Sequence, residues 1–154
     1  MNTANTEPRS LERALAQEVV TASGARPADH VTIAGTDHVE VLVEFIRRGF
    51  SNVLCRSAEH GPHIPAPPAD VLVAPDVKSE AGLSCVLARL GRDLRPRGIL
   101  VMTCARTCSP FDERRLRRVL MDGGFTAVER IAGRGDVGTV WCAHKGAASL
   151  RHAA

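Results

Sequence analysis

Two short runs with no polar face restrict the fold of this chain most. Within Asp70-Val71-Leu72-Val73-Ala74 and Ile99-Leu100-Val101-Met102-Thr103, residues 71–74 and 99–102 are apolar at successive positions, where a half-exposed strand would alternate. A strand that is apolar on both sides must be covered on both sides, as in a parallel sheet flanked by helices. Around these runs the apolar spacing changes to three and four. Leu11, Leu15, Val19 and Ala22 predict a helix over about 11–22, capped by Ser10 and closed by Gly24. Val39, Leu42, Val43 and Ile46 predict a second over about 37–48, with Thr36 or Asp37 as its cap. Leu83, Val86, Leu87, Leu90 and Leu94 predict a third over about 79–94. Ser109-Pro110 opens a fourth over about 110–122, with Phe111, Leu116, Val119 and Leu120 as its buried side.

Residues 30–34 and 51–56 are two further strand candidates. Pro62, Pro65, Pro67 and Pro68 leave residues 57–68 as a loop. Pro96-Arg97-Gly98 makes a turn into the strand at 99–103. Residues 125–132 and 137–143 read as a hairpin around Gly133-Arg134-Gly135-Asp136; the adhesion tripeptide in that turn is read as turn chemistry. The element order predicts an α/β fold: a three-layer, Rossmann-like, mainly parallel sheet closed by a C-terminal antiparallel hairpin. Residues 1–9 are expected to be a disordered lead-in, 10–145 a single domain and 146–154 a frayed tail, with the fraying beginning at about Lys145.

Composition fits a buried aliphatic sheet. Aromatics make up 3% of the 154 residues, with one Trp and no Tyr, so Val, Leu, Ile and Ala must build the core. A net charge of +3 is too balanced for a typical nucleic-acid-binding domain. Residues 1–9 lack the apolar stretch of an export signal, and no run approaches the ~18 apolar residues of a membrane span. The cysteines are odd in number, five, and Cys55, Cys85 and Cys142 lie in apolar runs. A reduced, cytoplasmic chain is the expectation.

Open α/β sheets bind ligands at the carboxyl ends of their strands. There the turn Ala34-Gly35-Thr36-Asp37 either cradles an anion with backbone N–H groups or serves as an ordinary β–α turn. Asp76, after Ala74-Pro75, either acts on a ligand or starts a helix. Cys104 and Cys108 have C-x₃-C spacing, and a four-ligand metal set would need His60 and His63 from another loop, so no metal is expected. Arg114, Arg115 and Arg118 crowd one helix face and could meet an acidic protein partner or phosphate, or be a plain solvated face. No aromatics interleave with them, which speaks against single-stranded nucleic acid.

The second half of the chain resembles the class I S-adenosylmethionine (SAM) methyltransferases. Residues 69–77 (Ala-Asp-Val-Leu-Val-Ala-Pro-Asp-Val) are similar to the family's fourth strand and following loop. Leu94-Arg95-Pro96-Arg97-Gly98-Ile99-Leu100-Val101 resembles its "L-R-P-G-G-x-L-V" turn and fifth strand. Gly123-Gly124-Phe125 resembles the "G-F" lead into its sixth strand, and the match runs in order over about residues 30–143. The resemblance implies SAM as cofactor, held near Ala34, Gly35, Thr36, Asp37, Arg56, Ala74 and Pro75, with Asp76 bordering the methyl-transfer site.

The donor-binding motifs are eroded at three places. The family's Gly-rich first turn keeps one glycine here. Its ribose-gripping acid falls near Arg56, which cannot accept those hydrogen bonds, and its third strand is replaced by the loop 57–68. The expectation is a non-catalytic binding or partner-regulating module. The alternative is an active methyltransferase whose abbreviated pocket is complete or is completed by a homodimer.

Overall fold

The computed structural model describes residues 7–58, 65–104, 113–132 and 138–147. Each apolar run of the sequence becomes a strand, and each stretch of three-and-four spacing a helix. In chain order these are α1 (Glu7–Ser23), β1 (Val31–Ala34), α2 (Val39–Arg47), β2 (Val53–Arg56), β3 (Ala69–Ala74), α3 (Glu80–Arg89), β4 (Leu94–Cys104), α4 (Glu113–Asp122), β5 (Phe125–Ala132) and β6 (Thr139–Lys145), with a 3₁₀ turn at Gly91–Asp93.

The strands form one sheet in the order β2-β1-β3-β4-β6-β5. β2, β1, β3 and β4 are mutually parallel, and β6 and β5 close the sheet antiparallel. The strand period of two then sorts the core into two layers. Val31, Ile33, Val71, Val73, Val101, Val140 and Cys142 face α1 and α2, whereas Leu72, Ala74, Leu100, Met102 and Trp141 face α3 and α4. The strands apolar on both faces are thus covered on both, as their sequences require.

Several boundaries differ from expectation. α1 starts at Glu7, so Ser10 lies inside it rather than capping it, and residues 7–9 belong to the helix. α2 starts after His38, which makes no side-chain cap, so neither Thr36 nor Asp37 caps it. α3 ends at Arg89, and Leu94 begins β4 instead of finishing the helix. The Pro96-Arg97-Gly98 turn is a bulge within β4. Ala69 pairs with Leu94 and Val71 with Ile99, and Arg97 sits at φ +67°. The hairpin turn at 133–136 and Cys108 lie outside the described residues. Lys145, expected to fray, is the last residue of β6, and its Nζ donates to Gly91 O at 2.7 Å and Leu94 O at 2.6 Å. Cys85 is exposed, not packed, while Cys142 is buried. Burial first, and the Glu129 charge second, push the Cys142 thiol up to about 11.

One clamp ties the amino ends of the central strands. Asp70 accepts from the His30 backbone N–H at 2.9 Å and from Arg95 Nη1 at 2.6 Å. Burial alone would raise its pKa, but these two donors together outweigh burial and hold the carboxyl below its ordinary range. Folded Asp70 therefore holds its proton less tightly than the unfolded chain does. Its stabilisation is complete above the ordinary carboxylate value of about 4 and is lost as pH falls below it. Asp70→Asn should cost about 1 kcal/mol at neutral pH and flatten the acid limb of stability against pH. Urea melts at a series of pH values check this; parallel limbs for the two proteins would refute it.

Candidate functional site

The four parallel strands end together along one rim of the sheet, and the chain leaves each through a loop: after Ala34, Arg56, Ala74 and Cys104. Ala34, Gly35, Thr36, Asp37, Arg56, Ala74, Pro75 and Asp76 all sit on or beside this rim. The sequence-derived candidates are therefore gathered on one edge by the parallel topology.

The first turn is tightly engaged with its own chain. Gly35 adopts φ +107°, a conformation that side-chain-bearing residues avoid. Its N–H donates to Arg56 O at 2.7 Å, extending the β1–β2 ladder. A Cβ at Gly35 would lie 3.0 Å from His38 Cδ2, so the imidazole lies close over the glycine. Thr36 and Asp37 are exposed. His38 is a rim residue that sequence reasoning does not single out; a histidine three residues after a lone glycine is the signal for its place over that glycine. Its carbonyl also accepts from Cys55 Sγ at 3.8 Å.

Arg56 points away from any role as an open ligand group. Its Nη1 donates to Asp93 Oδ2 of the 3₁₀ turn, and the two side chains are only 15% and 16% exposed. Nothing in the sequence marks this pair, whose members lie 37 positions apart.

Asp76 is different. It is a non-glycine residue at φ +54°, with its side chain 46% exposed. The strain is held in place from β4. Thr103 Oγ1 accepts from the Asp76 N–H at 3.0 Å, and Thr103 O accepts from the Val77 N–H at 2.8 Å. This accounts for the buried hydroxyl of Thr103. Lys78 Nζ lies 3.4 Å from the carboxylate. Buried Cys104 is close enough that Asp76 adds to the effect of burial in raising its thiol pKa. A strained, exposed carboxylate on a strand's carboxyl end, fixed by its backbone, can orient or deprotonate a bound group.

On α4, Arg114, Arg115 and Arg118 are exposed, with Arg115 Nη2 3.1 Å from Glu80 Oε2 of α3. Arg117 is used internally. It donates to Val128 O at 2.7 Å, pairs with Glu113 at 2.9 Å and lies 5.7 Å above the Trp141 ring. Among the described residues no cluster of three or more metal-ligating side chains occurs, and no helix is long and apolar enough to cross a membrane.

Comparison with solved structures gives the fold its name. The chain is similar to SAM-bound CalS10, an amino pentose methyltransferase from Micromonospora echinaspora, at TM-score 0.59 and 10% identity, covering 92% of each chain. It is similar to a SAM-dependent methyltransferase from Aquifex aeolicus at TM-score 0.58 and 16% identity, over 90% of this chain and 92% of that one. The cyclase SpnF matches at TM-score 0.58 and 15% identity, over 88% and 81%. No family model matches the sequence, and no curated protein does. The fold is therefore that of the class I SAM-dependent methyltransferases.

Proposed function

We propose that this methyltransferase-like domain works as a non-catalytic binding or partner-regulating module. The observation that carries this reading is the state of the first turn. Its one glycine has its N–H committed to Arg56 O and its open side covered by His38. The residue at the ribose-gripping place is a cation already paired with Asp93. A SAM methionine moiety needs free backbone approach at the first position, and its ribose needs acceptors at the second. The residues present fit neither need, so they support no methyl-transfer step. The likeness to a cyclase supports the broader point that the fold carries functions other than methyl transfer. The exposed Arg114 and Arg118 are the residues proposed to meet an acidic protein partner.

A second reading, an active SAM-dependent methyltransferase, rests on Asp76. A positive φ at a non-glycine residue costs on the order of 1–2 kcal/mol, and such strain collects at working sites. Titration calorimetry with SAM and with its demethylated product separates the two. The expected result is no binding heat and no thermal stabilisation at millimolar ligand. A dissociation constant near 1 µM, about −8 kcal/mol, would overturn the non-catalytic reading. Asp76→Ala would then be expected to lower turnover while leaving donor affinity nearly unchanged.

A further inference from the structure

Two helix flanks are left uncovered, and they differ in what they say of a partner. On α2 the line Val39, Val43 and Ile46 is exposed, although the sequence predicts it as one apolar face, and nothing along it selects an occupant. On α4 the exposed flank is charged. Leu116 and Leu120 bury the inner side of this helix. Arg115 leans to α3 through Glu80, and Arg117 leans to β5 through Val128 O. At about 100° per residue, Arg118 then points away from the core between these two anchors. Arg114, one turn earlier, stands on the same outward side, nearer β5. Both are exposed, and neither has an ion pair or side-chain hydrogen bond among the described residues.

β5 packs beside this flank and is a terminal strand, paired only with β6. Residues directly opposite across two strands share a side of the sheet, so the register fixes where the side chains of β5 lie. Arg130 is opposite Trp141, which packs in the α3 and α4 layer, and Glu129 is opposite Cys142, which packs in the α1 and α2 layer. Exposed Arg130 therefore joins the α4 side, whereas Glu129 and the half-buried Ile131 lie on the other. Only Gly123 and Gly124 separate α4 from β5, so the two elements run in opposite senses. From the Arg117–Val128 contact, Arg114 lies about 4.5 Å back along the helix and Arg130 about 6.6 Å onward along the strand, in the same direction. Arg130 also has no ion pair among the described residues, and with Arg114 and Arg118 it makes one basic patch at a strand edge. The amino half of that edge is closed by the bulge between Thr126 and Glu129 and by Arg117 on Val128 O. Along Glu129–Ala132 the pairing with β6 is regular, and the outward backbone N–H and C=O groups meet no strand among the described residues.

We propose that this margin receives an acidic, extended protein segment, which adds to the sheet as a further strand beside β5. Backbone pairing supplies the affinity, and arginine forks on carboxylates set the orientation. The alternation of β5 is imposed on the added strand. Its side chains on the α4 side meet Arg130, Arg114 and Arg118 and are Asp or Glu. Those on the other side meet Glu129 and Ile131 and are apolar or uncharged. Nucleic acid fits this margin less well. The aromatic ring beside the patch, Trp141, is buried under Arg117 and offers a base no stacking face. A phosphate chain would also leave the strand edge unused. The inference rests on the reading of Arg114 and Arg118 as a partner-binding face, and adds to it Arg130, the open edge and the alternation of the partner.

Fluorescence anisotropy with labelled synthetic peptides tests it. The probe is a short peptide alternating Glu with Val. One control carries Lys in place of every Glu, and another is N-methylated at two adjacent central amides. Adjacent residues send their N–H groups to opposite edges of a strand, so one methyl faces β5 in either register. The Glu peptide is expected to bind in the tens to hundreds of micromolar. N-methylation should weaken it about tenfold or more, and the Lys exchange should abolish it. Arg130→Glu, and Arg114→Glu with Arg118→Glu, should each weaken it about tenfold or more, with the circular dichroism spectrum unchanged because all three positions are exposed. Absence of binding at millimolar peptide, or binding indifferent to Arg130→Glu, would overturn the proposal. Binding that needs Arg114 and Arg118 but tolerates N-methylation would overturn strand addition and leave the acidic partner standing. Tighter binding of an oligothymidylate than of the Glu peptide would make the patch a phosphate-binding face and overturn the proposal as well. Donor calorimetry decides the non-catalytic reading independently, so the two fail separately.

Discussion

Phe45→Ala should cost about 3–5 kcal/mol of stability, a large part of what holds a domain of this size together. Phe45 is fully buried on the inner side of α2, in the cluster that joins Val41 to Ile33 and Val73 of the sheet. Its ring meets Phe50 edge-on at 5.2 Å and 89°. With aromatics at 3% of the chain, the surrounding aliphatic side chains, several of them β-branched, offer little to fill the gap. The cavity should persist, adding its own cost to the lost transfer energy. For a domain of this size the melting temperature should fall by roughly 10 °C. Phe45→Leu, which keeps most of the volume, should lose about a third as much. Thermal and urea melts of the two variants check both numbers, and equal losses would show that the ring's volume is not what matters.

Gly98→Ala should cost about 2–3 kcal/mol, for a reason opposite to the first. Here the added methyl has nowhere to go. It would sit 2.7 Å from Arg95 O and 2.7 Å from the Leu94 Cγ and Cδ1 atoms. A flexible side-chain end could turn away, but the carbonyl belongs to the bulge that sets the β3–β4 register. Relief would require moving the backbone between two central strands. The neighbouring Arg97, at φ +67°, is a built-in contrast. Arg97→Gly should be neutral or stabilising by a few tenths of a kcal/mol, because glycine adopts that conformation without penalty. If Gly98→Ala melts with the wild type, the close contact at the bulge is absent in solution.

Much of the candidate rim was legible because its ingredients are local. Asp76 follows a run that can only be a covered parallel strand, and such strands deliver their carboxyl ends to a common rim. The single glycine of the first turn and the cation at Arg56 are visible in the sequence itself. What those residues do is not. Arg56 is engaged by Asp93 and Gly35 by His38, and the strain at Asp76 is held by Thr103 from the next strand. The same limit explains α2. Helical spacing marks Val39, Val43 and Ile46 as one apolar line, but periodicity does not say whether a neighbour covers that line.

The layer order follows from the residues alone, because runs apolar on both faces must be covered twice and helical spacing supplies the covers. So does the lone glycine of the first turn. Which sheet edge is left open, which arginine Asp93 engages and which apolar stripe lies uncovered emerge only when the chain is folded. Each of these depends on contacts between residues far apart in the chain. Burial and strand pairing are settled by what else packs nearby, and periodicity within one segment carries no information about that.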